Sequence, residues 1–121
     1  MSKRILAIDD QEDNRRILRD LLAAVDYEVL EAMDGEDAVA QAEKHVPDLI
    51  LMDIQLPGID GYEATRRIKA NPELKHIPVI AVTSYALTGD EDKAIEAGCD
   101  AYIAKPYSPR ALLAKVREFL K

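Results

Sequence analysis

The sequence predicts an α/β protein built on one parallel sheet of five strands with helices on both faces. Short apolar runs alternate with segments of helical periodicity along the whole chain, which is the pattern of successive βα units. Three of the runs are apolar at every position, as expected of strands that are buried on both faces. Because parallel crossovers are right-handed, the intervening helices should cover both faces of the sheet.

The predicted strands are short, and all but the second end directly at polar side chains. We place them at residues 5–8, 27–32, 49–52, 79–82 and 101–104. The second run mixes glutamates with apolar residues, which favours a position at the edge of the sheet. The first, third and fourth runs are predicted to be central.

Two predicted helices occupy the first half of the chain. The first begins near Asp13 and is expected to bury a stripe of Ile17, Leu18, Leu21, Leu22 and Val25. Its polar side is predicted to carry Arg15, Arg16, Arg19 and Asp20. The second helix follows a turn at Asp34 and Gly35, ends at Pro47, and is expected to turn inward Ala38, Val39, Ala42 and Val46.

The last three predicted helices differ in how firmly they are anchored. The third begins at Asp60 or Gly61, and its inward residues are Tyr62, Ala64 and Ile68. The fourth, at about 87–97, has few large apolar residues, so it is either a mobile element or simply a solvated helix face. Gly98 suits the left-handed conformation of its C-terminal cap. The fifth has Ser108 as its N-cap, Pro109 in its first turn, and a firm stripe of Leu112, Leu113, Val116, Phe119 and Leu120.

Length and composition fit a single cytoplasmic domain. The chain has 121 residues, of which 48% are hydrophobic, so one core of ordinary size is expected. Its 16 Lys+Arg and 23 Asp+Glu residues give a formal net charge of -7, which argues against binding to nucleic acid or to anionic membranes. No run approaches the roughly 18 apolar residues of a membrane span. The single cysteine, Cys99, suits a reducing cytoplasm.

Polar side chains follow four of the predicted strands. Asp9 and Asp10 follow the first, Asp53 the third, Thr83 the fourth and Lys105 the fifth. Because open parallel sheets bind ligands beyond the carboxyl ends of their strands, we expect these side chains to meet in one crevice. Carboxylates that lie close together repel one another unless a cation joins them, and oxygen ligands open to water favour Mg²⁺.

The same residue types suit the transfer of a phosphoryl group. Asp53 stands alone at the end of the central strand, and an aspartate can attack phosphorus to form an acyl phosphate. Mg²⁺ would offset the repulsion between carboxylate and phosphoryl oxygens. Lys105 would stabilise charge on the transferred group, and the Thr83 hydroxyl could donate a hydrogen bond to it.

These motifs resemble those of the response-regulator receiver domains of two-component signalling, over nearly the whole chain. The matching positions are the acidic pair Asp9 and Asp10, Asp53 within residues 51–58, Thr83, Tyr102, and Lys105 followed by Pro106. Residues 47–57 and 76–108 most resemble the single-domain DivK-type regulators. The resemblance implies one receiver domain over residues 1–121 without an output domain. It also implies a flavodoxin-like (CheY-like), doubly wound sheet in the order 2-1-3-4-5.

The resemblance further implies how the site would work. Mg²⁺ would be held by Asp10, Asp53 and the main-chain carbonyl of Gln55, with Asp9 acting mostly through water. Asp53 would accept its phosphoryl group from a phosphohistidine on a sensor histidine kinase or a histidine phosphotransfer protein. Such a module catalyses its own phosphorylation and dephosphorylation and is otherwise not an enzyme. Gln55 and Tyr85 border the predicted pocket and resemble positions that tune the lifetime of the phosphoryl group.

Phosphorylation is predicted to alter a distant surface of the protein through a change in side-chain packing. Phosphorylation adds about -1.5 to -2 charges to Asp53, and Thr83 and Lys105 would pair with them by moving inward. Tyr102, which matches the family's switch aromatic, would then fill the space that Thr83 vacates. The fourth helix, fifth strand and fifth helix would change as a protein-binding surface, to control a partner or to relay the phosphoryl group.

Three alternatives stay open on the sequence. A receiver domain within a hybrid histidine kinase would carry the same motifs. An α/β phosphohydrolase with an aspartate nucleophile would also have an acidic Mg²⁺ site, although such enzymes favour a second Asp where Gln55 stands. A small flavin or nucleotide carrier would share the fold class, but acidic residues follow the first strand in place of a glycine-rich phosphate loop.

Overall fold

A computed structural model describes residues 3–83, 90–105 and 107–120, with the backbone alone for Asp90 and Glu91. Five strands and five helices alternate in these residues. The strands are β1 (Arg4–Ile8), β2 (Glu28–Ala32), β3 (Leu49–Asp53), β4 (Val79–Thr83) and β5 (Ala101–Ala104). The helices are α1 (Glu12–Ala23), α2 (Gly35–His45), α3 (Gly61–Ala70), α4 (Asp90–Ala97) and α5 (Pro109–Phe119). Tyr85, Pro106 and the predicted start of the fourth helix near residue 87 lie outside the described residues.

The five strands form one parallel sheet in the order β2-β1-β3-β4-β5, which confirms the predicted topology. β3 and β4 are buried along their whole length, and β1 is buried at all but its first residue. β2 lies at one edge, as its mixed composition predicts, and β5 lies at the other. The order reverses between β1 and β3, so the carboxyl ends of these two neighbours border the crevice in which such sheets bind ligands.

Two apolar layers cover the sheet, one on each face. Residues of α2, α3 and α4 pack on the face that carries Leu6, Ile50 and Met52. Residues of α1 and α5 pack on the opposite face, around Leu51 and Ile80. Because successive strand residues point to opposite faces, neighbouring residues at a strand end serve different layers of the protein.

The buried face of α1 differs from the predicted stripe at two positions. Ile17 is 58% exposed, whereas Arg15, predicted on the polar side, is only 8% exposed. The buried face is centred on Leu18 and Leu22, and Arg15 lies on it because positions three and seven apart share one side of a helix. An apolar pattern alone therefore misjudged the orientation of this helix.

The predicted inward position of Val46 is also wrong. α2 ends at His45, and Val46 adopts a left-handed φ of 44° while its N–H donates to the carbonyl oxygen of Ala42. A residue in this conformation ends the helix and leaves its apolar face, so Val46 is 43% exposed. Val39, within the helix, packs against the core as predicted.

The ends of the helices follow the sequence signals. Asp34, Asp60 and Ser108 are N-caps, and each side chain accepts a hydrogen bond from the backbone N–H three residues later, at 2.7, 2.9 and 3.0 Å. Gly98 has a φ of 103° directly after α4, as its left-handed role requires. In the described ranges, no helix combines the length and apolar character needed to cross a bilayer.

Two aliphatic residues of α1 test its corrected orientation. Leu22→Ala should lower the free energy of unfolding by about 2–5 kcal/mol, because the fully buried side chain leaves a cavity. Ile17→Ala, its matched control, should change the same quantity by no more than about 0.5 kcal/mol, since the side chain is mostly in water. Urea unfolding followed by circular dichroism measures both. Equal losses would contradict the observed helix face.

Candidate functional site

Asp9, Asp10 and Asp53 come together at the carboxyl ends of the central strands. One carboxylate oxygen from each lies within 4.8 Å of the others. Asp9 directly follows β1, and Asp53 is the last residue of the adjacent β3. Asp9 and Asp53 are buried, whereas Asp10 is exposed, so the cluster opens to water on the side of Asp10. The structure thus brings together the acids that the strand ends place at one edge.

Lys105 reaches the same cluster from the end of β5. Its Nζ lies 3.1 Å from Oδ2 of Asp9 and 3.5 Å from Oδ2 of Asp53. Its backbone N–H donates to the carbonyl oxygen of Thr83 at 2.7 Å, which fixes residue 105 beside the end of β4. The ammonium group therefore bridges the two buried carboxylates.

The main chain holds the second oxygen of each buried acid. Oδ1 of Asp9 accepts a hydrogen bond from the N–H of Gln11 at 2.9 Å, and Oδ1 of Asp53 accepts one from the N–H of Gln55 at 3.0 Å. Each carboxylate is thus fixed in rotation, with Oδ1 on the backbone and Oδ2 towards Lys105. This arrangement presents Asp53 in one orientation.

A glycine allows α3 to begin directly against Asp53. A Cβ atom on Gly61 would lie 2.3 Å from the carbonyl oxygen of Asp53, a distance that no side chain can occupy. The Gly61 N–H donates to the carbonyl oxygen of Ile54 at 3.0 Å. The sequence marks this position only as a helix start, because the contact joins residues that are eight apart along the chain.

Burial raises the pKa of Asp53 to about 6. The N–H of Gln55 and the ammonium of Lys105 favour the charged form, but they do not offset the loss of hydration. For Lys105, burial alone would lower the pKa, and the carboxylates of Asp53 and Asp9 outweigh it and hold the pKa above its usual value. This ammonium contacts two of the three clustered carboxylates, so an oxygen-seeking divalent cation fits the donor set.

The acids and Lys105 line an open cavity of about 490 Å³. Gln55 lies on its rim, as predicted, and so do Gln11 and Asn14 of the segment that begins α1. Neither Gln11 nor Asn14 was expected at the pocket. The sequence feature that could have predicted them is their position within one helical turn of Asp9 and Asp10.

Thr83 ends β4, next to the end of β3 at Asp53, and it shares one face of the sheet with Tyr102. In register, Asp53 is beside Val82, and Tyr102 is beside Ala81. Because alternate residues share a face, Thr83 and Tyr102 both point towards the layer of α2, α3 and α4. Thr83 is buried, and Tyr102 is half-buried against the core of that layer.

A doubly wound sheet with an acidic pocket at its switch point fits a phosphoryl-accepting signalling module. The chain belongs to the response regulator receiver domain family, which matches residues 5–117. The family match sets aside the phosphohydrolase and the flavin carrier. The pocket of aspartates is the place of phosphorylation in this response regulator.

The relatives of the chain include regulators and kinase domains. It is 44% identical over 120 residues to the polar-differentiation response regulator DivK of Brucella ovis, covering 99% of this chain and 98% of the relative. Among solved structures, the receiver domain of the sensor histidine kinase PA1611 of Pseudomonas aeruginosa has a magnesium ion coordinated in its active-site cleft. That structure matches with a TM-score of 0.92 at 36% identity, over 99% of this chain and 98% of that one. The chemotaxis response regulator CheY4 of Vibrio cholerae matches with a TM-score of 0.93 at 26% identity, over 98% and 99%.

Without metal, the Asp53 carboxylate should destabilise the fold in a pH-dependent manner. The folded-state pKa of about 6 exceeds the ordinary value of 3.8, so the stability tied to protonated Asp53 is fully present below about pH 4 and is lost as pH rises through about 6. Asp53→Asn carries no such charge. At pH 7.5, the free energy of unfolding of Asp53→Asn should be higher than that of the wild type by on the order of 2 kcal/mol.

Urea unfolding in chelator between pH 4 and 8 measures this difference, which should shrink towards pH 4. Asp20→Asn removes an exposed carboxylate from α1 and serves as the control, with little expected change. A wild type as stable as Asp53→Asn at pH 7.5 would contradict the raised pKa.

Proposed function

We propose that Asp53 accepts a phosphoryl group from a phosphohistidine in an Mg²⁺-dependent reaction. The observation that carries this proposal is the geometry of one carboxylate: Asp53 is 5% exposed, is fixed by the N–H of Gln55, and lies between Lys105 and two further acids. A nucleophile needs this kind of fixed orientation, and a phosphoryl acceptor needs nearby positive charge.

In the proposed step, an oxygen of Asp53 forms a bond to phosphorus as the bond from phosphorus to the donor imidazole nitrogen breaks. The imidazole keeps the electron pair and takes a proton from solvent. Mg²⁺, held by Asp10, Asp53 and the Gln55 carbonyl with Asp9 through water, would supply charge neutralisation between the approaching oxygens. Lys105 contributes an ammonium that already faces Oδ2 of Asp53.

The same residues would drive the switch after transfer. The phosphoryl group adds about -1.5 to -2 charges where Lys105 now bridges two carboxylates, so Lys105 and the Thr83 hydroxyl gain a stronger partner. Moving a population from 1:99 to 99:1 requires about 5.5 kcal/mol. Hydrogen bonds to charged groups, at about 1.5–3 kcal/mol each, can supply this amount.

Thr83 would transmit the change because it adjoins both the acidic pocket and Tyr102. Its main chain is bonded to Lys105, and its side chain shares one face of the sheet with Tyr102. An inward shift of Thr83 would open space that Tyr102 can enter. The surface formed by α4, β5 and α5 would then present a different shape to a partner protein.

The proposed partners are a sensor histidine kinase or histidine phosphotransfer protein as donor, and a downstream protein as target, in the cytoplasm. Likeness to the response regulator DivK favours a regulator, and likeness to the receiver domain of the sensor histidine kinase PA1611 favours a place within a kinase. The proposed output is either control of a partner by binding or relay of the phosphoryl group. Gln55 on the pocket rim and Tyr85 are the residues proposed to set the lifetime of the phosphoryl group, which the module would also remove by its own chemistry. Release of phosphate to water, compared with its transfer to a phosphotransfer protein, distinguishes the two outputs.

Acetyl phosphate with Mg²⁺ should add one phosphoryl group to the native chain, detected by intact mass spectrometry. Asp53→Asn should gain none, because the attacking oxygen is lost. Asp60→Asn, in which the amide keeps an oxygen for the α3 N-cap, serves as the control and should be modified as wild type. Modification of Asp53→Asn to the wild-type extent, or of wild type in excess chelator, would refute the proposal.

Tyr102→Ala should leave the extent of phosphorylation unchanged and weaken phosphorylation-dependent binding to a partner by about 10-fold, as loss of an aromatic contact worth about 1.4 kcal/mol implies. Tyr27→Ala at the far edge of the sheet is the matched control. Binding is measured by calorimetry with phosphorylated protein and the kinase or target isolated with it. Equal affinity of Tyr102→Ala and Tyr27→Ala would show that Tyr102 does not transmit the signal.

A further inference from the structure

A buried arginine adjoins the acidic pocket from the side of α1. Arg15 is 8% exposed, and all three nitrogens of its guanidinium donate hydrogen bonds. Nη1 donates to the main-chain carbonyl oxygen of Asp9 at 2.7 Å, and Nε donates to Oε1 of Glu31 at 3.2 Å. Nη2 donates to Oε2 of Glu12 at 2.5 Å. The guanidinium thus ties the start of α1 and the edge strand β2 to the main chain of an acid in the pocket.

Every polar atom of Asp9 takes part in a hydrogen bond. Its N–H donates to the carbonyl oxygen of Ala32 at 3.2 Å, and its carbonyl accepts from Arg15. Its two carboxylate oxygens accept from Gln11 and Lys105. The carbonyl of Asp9 belongs to the peptide group that leads into Asp10, so its orientation sets the direction in which Asp10 leaves the strand.

We propose that Arg15 is a positioning residue, which orients the peptide between Asp9 and Asp10 so that both carboxylates face a divalent cation. The inference rests on the proposed Mg²⁺-dependent phosphorylation of Asp53. A charged donor makes a strong hydrogen bond to a buried carbonyl, and the planar guanidinium can hold that carbonyl and Glu31 together. Partners that orient metal ligands from outside the coordination sphere typically affect metal affinity by about 10- to 100-fold.

Charge and geometry predict opposite effects of removing Arg15. The guanidinium is a cation near a cation site, so its electrostatic repulsion alone would make Mg²⁺ bind more tightly once it is removed. A positioning role predicts weaker binding, because the freed peptide no longer fixes the acidic pair. The sign of the change therefore separates the two roles.

Arg19 provides a matched control on the same helix. Its Nη1 donates to Oε2 of Glu31 at 2.9 Å, so it shares the partner of Arg15 on β2. Among the hydrogen bonds of the described residues, none joins Arg19 to Asp9. Loss of Arg19 removes a charge and an ion pair from the same network without releasing the Asp9 carbonyl.

The experiment is calorimetric titration of the metal-free 121-residue chain with MgCl₂ at a temperature where each variant is folded, as shown by its thermal unfolding curve. Arg15→Met should raise the dissociation constant at least about 10-fold. Arg15→Lys keeps the charge but cannot hold the Asp9 carbonyl and Glu31 together, so its dissociation constant should rise several-fold. Arg19→Met should stay within about two-fold of wild type, because it leaves the acidic pair in place.

Wild-type or tighter Mg²⁺ binding by folded Arg15→Met would overturn the inference while leaving the proposed function intact. If Arg15→Met does not fold, the test rests on Arg15→Lys, and wild-type Mg²⁺ affinity in that variant would also overturn the inference. Weakening of Arg19→Met to the level of Arg15→Met would also overturn it, because the effect would then belong to the helix as a whole. Failure of the wild type to bind Mg²⁺ would refute the proposed function itself.

Discussion

Repulsion among three carboxylates is the constraint to which the rest of this structure responds. Asp9, Asp10 and Asp53 lie within one crevice, and burial raises the pKa of Asp53 to about 6. The ammonium of Lys105 faces the two buried acids. The fold tolerates this cluster because rigid central strands and main-chain hydrogen bonds hold each acid in place. The unbalanced charge is what makes the site receptive to a divalent ion and, through it, to a phosphoryl group.

The end of β4 joins the chemistry to the proposed response. Thr83 follows Val82, the register neighbour of Asp53, and shares a face of the sheet with Tyr102, which packs against the layer of α2, α3 and α4. A signal that begins at the acids would therefore pass the end of β4. The strand-end backbone around Thr83 and Lys105 is the route that the hydrogen bonds offer, since the two residues are joined at 2.7 Å.

Much of this fold was predictable because burial on both faces leaves a strong signal in β1, β3 and β4. The acids and Lys105 were predictable for the same reason, since each stands directly at the end of an apolar run. The orientation of the helices was harder to predict. The charge of Arg15 predicts a surface position, yet the residue is buried because its partners come from β2 and the end of β1. The sequence pattern predicts that Val46 belongs to the apolar stripe of α2, yet α2 ends one residue before it. Contacts between distant residues decided these positions, and periodicity does not record such contacts.

The close approach of Gly61 to Asp53 also limits how the chain can vary in length. The N–H of Gly61 is bonded to the carbonyl of Ile54, and its Cα rests against the Asp53 backbone, so both ends of the segment from 54 to 61 are pinned to each other. Gln55 lies inside this closed segment, with its N–H on Asp53. Inserting or deleting a single residue here would move the Gln55 peptide or break the closure, whereas exposed loops elsewhere absorb such changes easily. Sequences that keep this site should therefore keep the spacing between these two positions even where the intervening side chains differ.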